Sequence, residues 1–389
     1  MKETHDYLVP DYYPDFACKM GACRTSCCEG WPISLSMADY FRLLGVNCRK
    51  SLRGKLDCAL HVLDRPTQEE YARIQPRFDG NCPLRLEDGR CSIHAELGEA
   101  ALSAVCRLYP RGPRAEGDYE CSCSNSCEAV IELFLRRDAP LEFLLMPLTF
   151  DLPAPSGHTV FFETVGREQE IRLHFIRILQ DRARSMPERM LTLGLNLREM
   201  EAALDARDAR KVDLLLRETA PKIPPMPDSA GSAALECGLR MVEGMLEILD
   251  AHSRSLRSYG EAALALFGQG LPLLSKYRTA RTRFEEIFPR WEIYFEHILV
   301  NHMFFSRFPF QDRPESLADE FLALCAVYAL LRFLCVGWMA DKQAEANFVD
   351  VVSAAFRLID HTEFDRYASR LLRKLGCKTP ETICDLLLL

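Results

Sequence analysis

The chain has 389 residues, of which 48% are hydrophobic, and it carries a formal net charge of -8 at pH 7. This length exceeds the size at which a single hydrophobic core usually stops growing, so we expect two domains. The acidic balance argues against a nucleic-acid partner, because affinity for a phosphate backbone comes largely from clustered Lys and Arg.

The first 16 residues mix acidic, aromatic and proline side chains and contain no apolar core. They predict neither a secretory signal nor a transit peptide, and we expect a cytoplasmic protein. In that reducing compartment dense cysteines are more often metal ligands than disulfides, and a disulfide scaffold is the alternative.

The segment 1–130 is predicted to be a small, turn-rich, Cys-rich metal-binding module. It contains twelve of the 17 cysteines, and glycines separate its short segments, so metal would have to hold it together. Short helices are predicted at 36–44, after a serine cap, at 68–75 and at 95–108.

The segment 131–389 is predicted to be an all-helical domain, which makes the fold class mainly α. The predicted helices are 129–137, 167–184, 188–205, 209–217, 233–252, 278–288, 291–305, 317–340, 343–360 and 363–375. A proline-rich stretch at 221–227 interrupts them, and the one strand-like segment is 158–163. The apolar stretch 321–340 has the length of a membrane span, but it contains Arg332, so we predict a buried helix and no membrane role.

Eight cysteines form the predicted metal-binding pattern, a Cys-x4-Cys-x3-Cys-Cys cluster and four thiols that follow it. They are Cys18, Cys23, Cys27, Cys28, Cys82, Cys91, Cys106 and Cys127. Soft thiolates select zinc or iron–sulfur clusters over hard cations, and the Cys-x2-Cys knuckle of zinc ribbons does not occur here. Iron–sulfur is therefore favoured over zinc, and the count fits either one site with spare thiols or two sites.

The remaining cysteines are weaker candidates. Four lie in the same module: Cys48, Cys58, Cys121 and Cys123. Five lie in mostly helical contexts and are predicted to be core residues: Cys237, Cys325, Cys335, Cys377 and Cys384.

The residues around the cysteines resemble the flagellin lysine N-methylase family, and more broadly the Cys-rich zinc- or iron-chelating domains. The similarity runs through Phe16-Ala-Cys-Lys-Met-Gly-Ala-Cys-Arg-Thr-Ser-Cys-Cys-Glu-Gly-Trp31, Cys82-Pro-Leu84, Gly89-Arg-Cys91, Leu97-Gly98 and Cys106-Arg-Leu-Tyr-Pro-Arg111. It continues in the helical half at 296–302 and 308–310. Cys127 is followed by Glu128 where the family usually has proline, so Cys127 is the least secure ligand.

The resemblance implies a protein-lysine N-methyltransferase that moves the methyl group of S-adenosylmethionine to lysine side chains of flagellin, aided by a 4Fe–4S cluster. The lysine must lose a proton before it attacks, since its ordinary pKa is about 10.4. No Gly-x-Gly-x-x-Gly follows a strand, so the doubly wound cofactor-binding fold is not predicted. Polar and radical methyl transfer both stay open.

Three residues are candidates for binding S-adenosylmethionine. Arg107 and Arg111 would clamp its carboxylate, and Trp31 would cover its sulfonium by a cation–π contact. Structural roles compete with each assignment, because arginines near turns often bind carbonyl groups and tryptophans often shield clustered cysteines. The catalytic base is left open between Glu296, Tyr109 and other acidic residues.

Other residues in these motifs have weaker assignments. His94 is a ligand or a neighbour of one, and Asn301 and His302 are interpreted as core residues. A non-catalytic metal-binding adaptor, whose helical domain docks a partner, and a structural zinc protein are the competing hypotheses for the whole chain.

Overall fold

The computed structural model describes residues 3–24, 26–115, 118–152, 163–218, 223, 225–227, 229–249, 254–268, 272–311 and 316–389. The mainly α-helical fold class predicted from the sequence is confirmed. The predicted strand at 158–163, apart from residue 163, lies outside the described residues, and so do residues 221, 222 and 224 of the proline-rich stretch at 221–227.

The N-terminal region combines short strands and short helices. They are β1 Glu3–Pro10, β2 Ile33–Leu35, α1 Met37–Gly45, α2 Lys50–Ala59, β3 Leu60–Val62, β4 Ala72–Ile74, α3 Ser92–Leu97, α4 Ala104–Leu108, α5 Glu128–Leu135 and β5 Phe143–Phe150. Within the described residues β1 pairs antiparallel with β5, from Glu3↔Phe150 to Pro10↔Phe143, and β4 lies between β2 and β3 in a second sheet.

Longer helices make up the rest of the chain. They are α6 Glu168–Leu179, α7 Met186–Asp205, α8 Ala209–Arg217, α9 Ser232–Ile248, α10 Arg254–Phe267, α11 Leu273–Ile287, α12 Trp291–Phe305, α13 Leu317–Trp338, α14 Glu345–Ile359, α15 Phe364–Lys374 and α16 Pro380–Ile383. Their apolar faces bury one large core, which also takes in Tyr7, Val9 and Tyr12 from the N-terminal strand and the turn after it.

A second, smaller core lies between residues 31 and 106. Leu35, Leu43, Leu56 and Leu84 are its most buried large side chains. The Cys-rich region therefore has more apolar packing than its turn-rich sequence suggested. The predicted domain boundary near residue 130 stays a prediction, because residues on both sides of it contribute to the large core.

Two predicted helices of the N-terminal region are wrong. The segment 68–75 instead contains β4, in which Ala72 and Ile74 are buried and pair with both neighbouring strands. Ladder hydrogen bonds and this two-residue burial pattern outweigh local helix propensity. The segment 95–108 is broken at Gly98, whose φ is +82°, and a new helix begins after the Ser103 cap.

The sequence interpretation also missed elements. Strand β1 was overlooked although Tyr7 and Val9 alternate with more exposed residues, and its partner β5 was overlooked as well. The helices α2 and α10 were not predicted either.

Helix α13 is the apolar stretch that has the length of a membrane span. In the described part of the chain it is one candidate span, and 94% of its apolar window is buried inside the protein. Arg332 within it is fully buried: its guanidinium lies 3.8 Å from the Trp291 ring centroid and pairs with Glu285. Its Nε also donates to the Leu389 carbonyl at 2.9 Å, so the charge has partners inside the core.

Candidate functional site

A cavity of about 890 Å³ lies between the Cys-rich region and the helices α9, α10 and α14. All eight cysteines predicted to bind metal line it: Cys18, Cys23, Cys27, Cys28, Cys82, Cys91, Cys106 and Cys127. The other nine cysteines do not line it. The folded chain thus brings together, in one cavity, thiols that the sequence spreads over 110 positions.

Ion pairs hold the loop that carries Cys18 to Cys28 against α5 and α14. Lys19 donates to Glu128 at 2.7 Å and to Glu132 at 2.6 Å, both on α5. Arg24 reaches Asp350 on α14 at 3.0 Å. The Glu128 side chain is fully buried, so removing its cationic partner would leave a buried charge.

Two glycines let the loop that carries Cys18 to Cys28 pass close to the loop that carries Cys82 and Cys91. Gly21 and Gly89 have φ values of +101° and +83°, and a Cβ on Gly89 would lie 2.2 Å from the Gly21 carbonyl oxygen. Only glycine permits both this backbone conformation and this approach. Next to the crossing, the Cys82 amide donates to the Cys28 carbonyl at 2.7 Å.

Short helices position the later cysteines. Cys91 is the residue before α3 and Cys127 is the residue before α5, so both stand at helix N-termini. Cys106 lies in α4, and this helix is fixed by Asp39, whose carboxylate accepts from the Ala104 amide at 2.8 Å. The backbone amides at these helix N-termini favour the thiolate form, but burial outweighs them and raises the pKa of both Cys91 and Cys127.

The cavity thiols divide into two sets according to which neighbouring thiolates act on them. Burial raises the pKa of Cys82 and Cys106 to about 12, and the charge of Cys28 adds to both. Burial also raises the pKa of Cys127 to about 12, but there the nearby thiolates are Cys23 and Cys18. The first set is Cys28, Cys82, Cys91 and Cys106, the second is Cys18, Cys23 and Cys127, and Cys27 interacts with both.

The adjacent thiols Cys27 and Cys28 behave oppositely. The hydrogen bond from Cys27 lowers the pKa of Cys28 to about 6, and the cations Arg85 and Arg357 add to this effect. The same hydrogen bond raises the pKa of Cys27. The hydrogen bond therefore favours the thiolate at Cys28 and the thiol at Cys27.

The donor chemistry of the cavity suits a soft metal centre, because thiolates select zinc or iron–sulfur. Within the described residues, however, no three His, Cys, Asp or Glu side chains converge closely enough to hold one ion. Ligation of metal by these cysteines therefore stays a prediction.

The three residues predicted to bind S-adenosylmethionine separate in the structure. Trp31 lines the cavity, and its ring already faces the Arg357 guanidinium at 5.5 Å. Arg107 lies in α4 away from the lining, and Arg111 packs over the Phe16 ring at 5.0 Å. The structure does not bring the two arginines to the cavity that holds the thiols.

Other residues that the sequence singled out lie deeper in the protein. Glu296 is fully buried and is bound by Arg182 and Arg189, away from the cavity lining. Asn301 donates to the Cys123 carbonyl at 2.8 Å and accepts from the Tyr12 hydroxyl at 2.7 Å, in line with its interpretation as a core residue. His94 lines the cavity.

The sequence interpretation missed two cavity residues at the C-terminal end of the chain, Arg357 in α14 and His361 just after it. The His361 ring centroid lies 4.7 Å from that of Trp31 and 6.2 Å from that of Tyr109. No local motif marks these residues, since only the packing of α14 against the Cys-rich region brings them to the cavity.

Comparisons with known proteins find relatives for part of this chain. The chain is 30% identical over 129 residues to proteins named "Lysine-N-methylase" from Salmonella choleraesuis and Salmonella typhimurium, covering 32% of this chain. It is 28% identical over 131 residues to the "Flagellar biosynthetic protein FliU" of Salmonella muenchen, 75% of which is covered. The chain spans about a third of the length of the two lysine-N-methylases, and no solved structure matches it.

A family model covers more than half of the chain. Residues 172–386 match the model described as the FliB lysine N-methylase C-terminal domain. This segment includes α7 to α16 and the two cavity residues Arg357 and His361. The chain belongs to the FliB lysine N-methylase family.

Proposed function

We propose that this protein is a cytoplasmic enzyme that transfers the methyl group of S-adenosylmethionine to lysine side chains of flagellin, aided by a Cys-ligated iron–sulfur cluster. The observation that carries the proposal is that eight thiols line one cavity in a member of this family. The printed names of the relatives, a lysine-N-methylase and a flagellar biosynthetic protein, support the substrate class.

The size and lining of the cavity fit this reaction. Its volume of about 890 Å³ falls at the upper end of the range for small-molecule sites, about 300–1,000 Å³, which leaves room for a methyl donor and a lysine side chain. Trp31 and Tyr109 offer aromatic surface for a sulfonium or an ammonium group. Held together in this cavity, the two reactants would be close enough for an in-line transfer.

The first set of thiols, Cys28, Cys82, Cys91 and Cys106, is our candidate for the cluster ligands. The hydrogen bond from Cys27 lowers the pKa of Cys28 and so favours its thiolate, and a backbone hydrogen bond ties Cys82 to Cys28. A cluster held by three of these thiols would leave one iron to chelate the amino and carboxylate groups of S-adenosylmethionine. The second set would then support the loop or hold a separate centre.

Anaerobic purification, iron and sulfide analysis and a transfer assay test the proposal. With reconstituted protein, purified flagellin and S-adenosylmethionine labelled on its methyl group, we expect label on flagellin lysines. Cys82→Ser and Cys106→Ser should lose iron and transfer together. Cys58→Ser, which changes an exposed cysteine outside the cavity lining, should retain both.

The same experiment separates the competing functions. A fully loaded, folded protein that never labels flagellin would contradict the enzyme and favour a metal-binding adaptor. Colourless protein containing zinc alone, with transfer intact, would retain the methyltransferase and remove the iron–sulfur cluster from it.

A further inference from the structure

A chain of hydrogen bonds runs from the cavity wall to a buried carboxylate. His361 Nε2 lies 3.1 Å from Ser126 Oγ, and Ser126 Oγ lies 2.7 Å from Ser124 Oγ. Ser124 Oγ lies 2.6 Å from Asp360 Oδ2, and the Asp360 side chain is only 1% exposed. The Tyr109 hydroxyl joins the chain at 3.0 Å from Ser126 Oγ.

Counting hydrogens fixes the direction of every bond in this chain, because a hydroxyl donates one hydrogen and an ionised carboxylate only accepts. Ser124 donates to Asp360, so at the next bond it accepts, and Ser126 is the donor there. Ser126 has then used its hydrogen and accepts from both Tyr109 and His361. The hydrogen of the His361 ring therefore lies on Nε2.

This tautomer leaves the lone pair of His361 on Nδ1, which makes no hydrogen bond in the described part of the chain. The imidazole lines the cavity and is solvent-exposed through it. Asp360 is the last acceptor in this series of hydrogen bonds, and it also accepts from His302 Nδ1 at 3.1 Å. The geometry holds a basic nitrogen at the wall of the thiol-lined cavity and fixes the opposite nitrogen as a donor.

We propose that His361 is the general base that takes the proton from a substrate lysine in this cavity, and that Ser126, Ser124 and Asp360 are positioning residues that hold it in the reactive tautomer. This inference rests on the proposed function. The lysine N–H bond breaks and its proton passes to Nδ1. The nitrogen lone pair then forms the N–CH₃ bond as the S–CH₃ bond of the sulfonium donor breaks, and S-adenosylhomocysteine leaves.

The charged groups around the ring suit this role. The ring is open to the cavity, but the protein atoms packed around it remove part of its hydration, and this lowers the pKa of His361 below its ordinary 6.5. Arg357 lowers it further, and Asp360 opposes both effects. The imidazole is thus uncharged at neutral pH and able to accept a proton. Trp31, Tyr109 and Ser126 face it from the other elements without bringing a charge, and the Tyr109 hydroxyl, whose pKa burial raises, is a donor here.

Of the three acidic residues on the cavity wall, Glu29, Glu70 and Glu128, two are already engaged by cations. Glu128 is occupied by Lys19 and by the Arg24 amide, and its side chain is fully buried. Glu29 lies 4.0 Å from the Arg85 guanidinium and is engaged in that ion pair.

The first test compares His361→Gln with the wild-type enzyme across pH. Removing a general base costs about 10²–10⁴-fold in rate. We expect a loss in this range at pH 7, and we expect it to shrink toward pH 10, where free lysine loses its proton without help, its ordinary pKa being about 10.4. The exposed His61→Gln should match the wild type. An unchanged rate and pH profile in His361→Gln would overturn the inference.

The second test does not use activity. In protein labelled with ¹⁵N-histidine, the resonances that disappear in His361→Gln identify His361, and we expect the shifts of an Nε2–H tautomer at neutral pH. Ser126→Ala should return a mixture of tautomers and lower kcat with little change in KM. An Nδ1–H tautomer in the wild type would sink the proposal, whereas a wild type that transfers no methyl group would overturn the proposed function instead.

Discussion

Glu120 and Arg172 form a two-pronged ion pair inside the protein: Nη1 donates to Oε1 at 2.7 Å and Nη2 donates to Oε2 at 2.9 Å. Each side chain is only 3% exposed. Glu120 belongs to the Cys-rich segment and Arg172 to α6, so this buried pair ties the two predicted domains together.

Glu120→Gln is expected to destabilise the protein by about 3–5 kcal/mol, because it leaves the Arg172 charge buried without its counter-ion. Urea unfolding at neutral pH measures this. Glu381→Gln, which breaks the exposed pair with Arg198, is the matched control and should change little.

Replacing both partners should cost less than removing one. Glu120→Leu with Arg172→Met removes both charges, so the double variant should recover much of the stability lost in Glu120→Gln. A double variant as unstable as the single one would mean that the pair matters for its shape and not for its charge.

Gly89→Ala is expected to damage the crossing of the cysteine loops. Its methyl group would meet the Gly21 carbonyl at 2.2 Å, and its φ of +83° disfavours any side chain. We expect a lower unfolding midpoint and reduced metal retention. In contrast, Gly54→Ala in the middle of α2 meets nothing within 4 Å and should stabilise the protein by about 0.5–1 kcal/mol.

Glu296→Gln is expected to separate stability from activity. Glu296 accepts from Arg182 at 2.7 and 2.9 Å and from Arg189 at 2.9 Å, and neither it nor these arginines line the cavity. The change should cost about 3–5 kcal/mol in unfolding free energy. Under conditions in which the variant is still folded, methyl transfer should proceed at the wild-type rate. Loss of methyl transfer in folded protein would make Glu296 a participant in the reaction.

His174 makes stability depend on pH. Burial lowers its pKa from the ordinary 6.5, and its Nε2 lies 3.2 Å from Asn196 Oδ1 in the core. The unfolded chain binds this proton more readily than the native one, so stability is full above pH 6.5 and is lost as pH falls through the lowered value. His174→Gln should reduce the loss of unfolding free energy between pH 7 and pH 5, measured by urea unfolding. An unchanged pH dependence in this variant would mean that other groups cause the loss.

The sequence predicted helices well where capping and periodicity agree. Helix α1 begins after Ser36, whose side chain accepts from the Asp39 amide, as the serine signal indicated. The segment 68–75 was misread because its strand pairing comes from β2 and β3, residues that local propensity does not include. Long-range pairing likewise determines β1 and β5.

The cysteines of the candidate site were predictable because closely spaced thiols are chemically distinctive, and all eight line the cavity. Arg357 and His361 were not, since arginine and histidine near a helix end usually have structural roles. Their position follows from the packing of α14, which no spacing rule encodes. The direction of the hydrogen bonds from His361 to Asp360 needed the geometry of two segments, 124–126 and 360–361, that lie 235 positions apart in the sequence.

The ion pair between Arg24 and Asp350 joins residues that are 326 positions apart. At about 5–20 residues per second, a ribosome needs roughly 15 to 65 s to travel between them. During that interval the first cysteines of a nascent chain have left the exit tunnel while the helical wall of their cavity has not yet been made. The thiols of each molecule are therefore accessible before the cavity around them is enclosed.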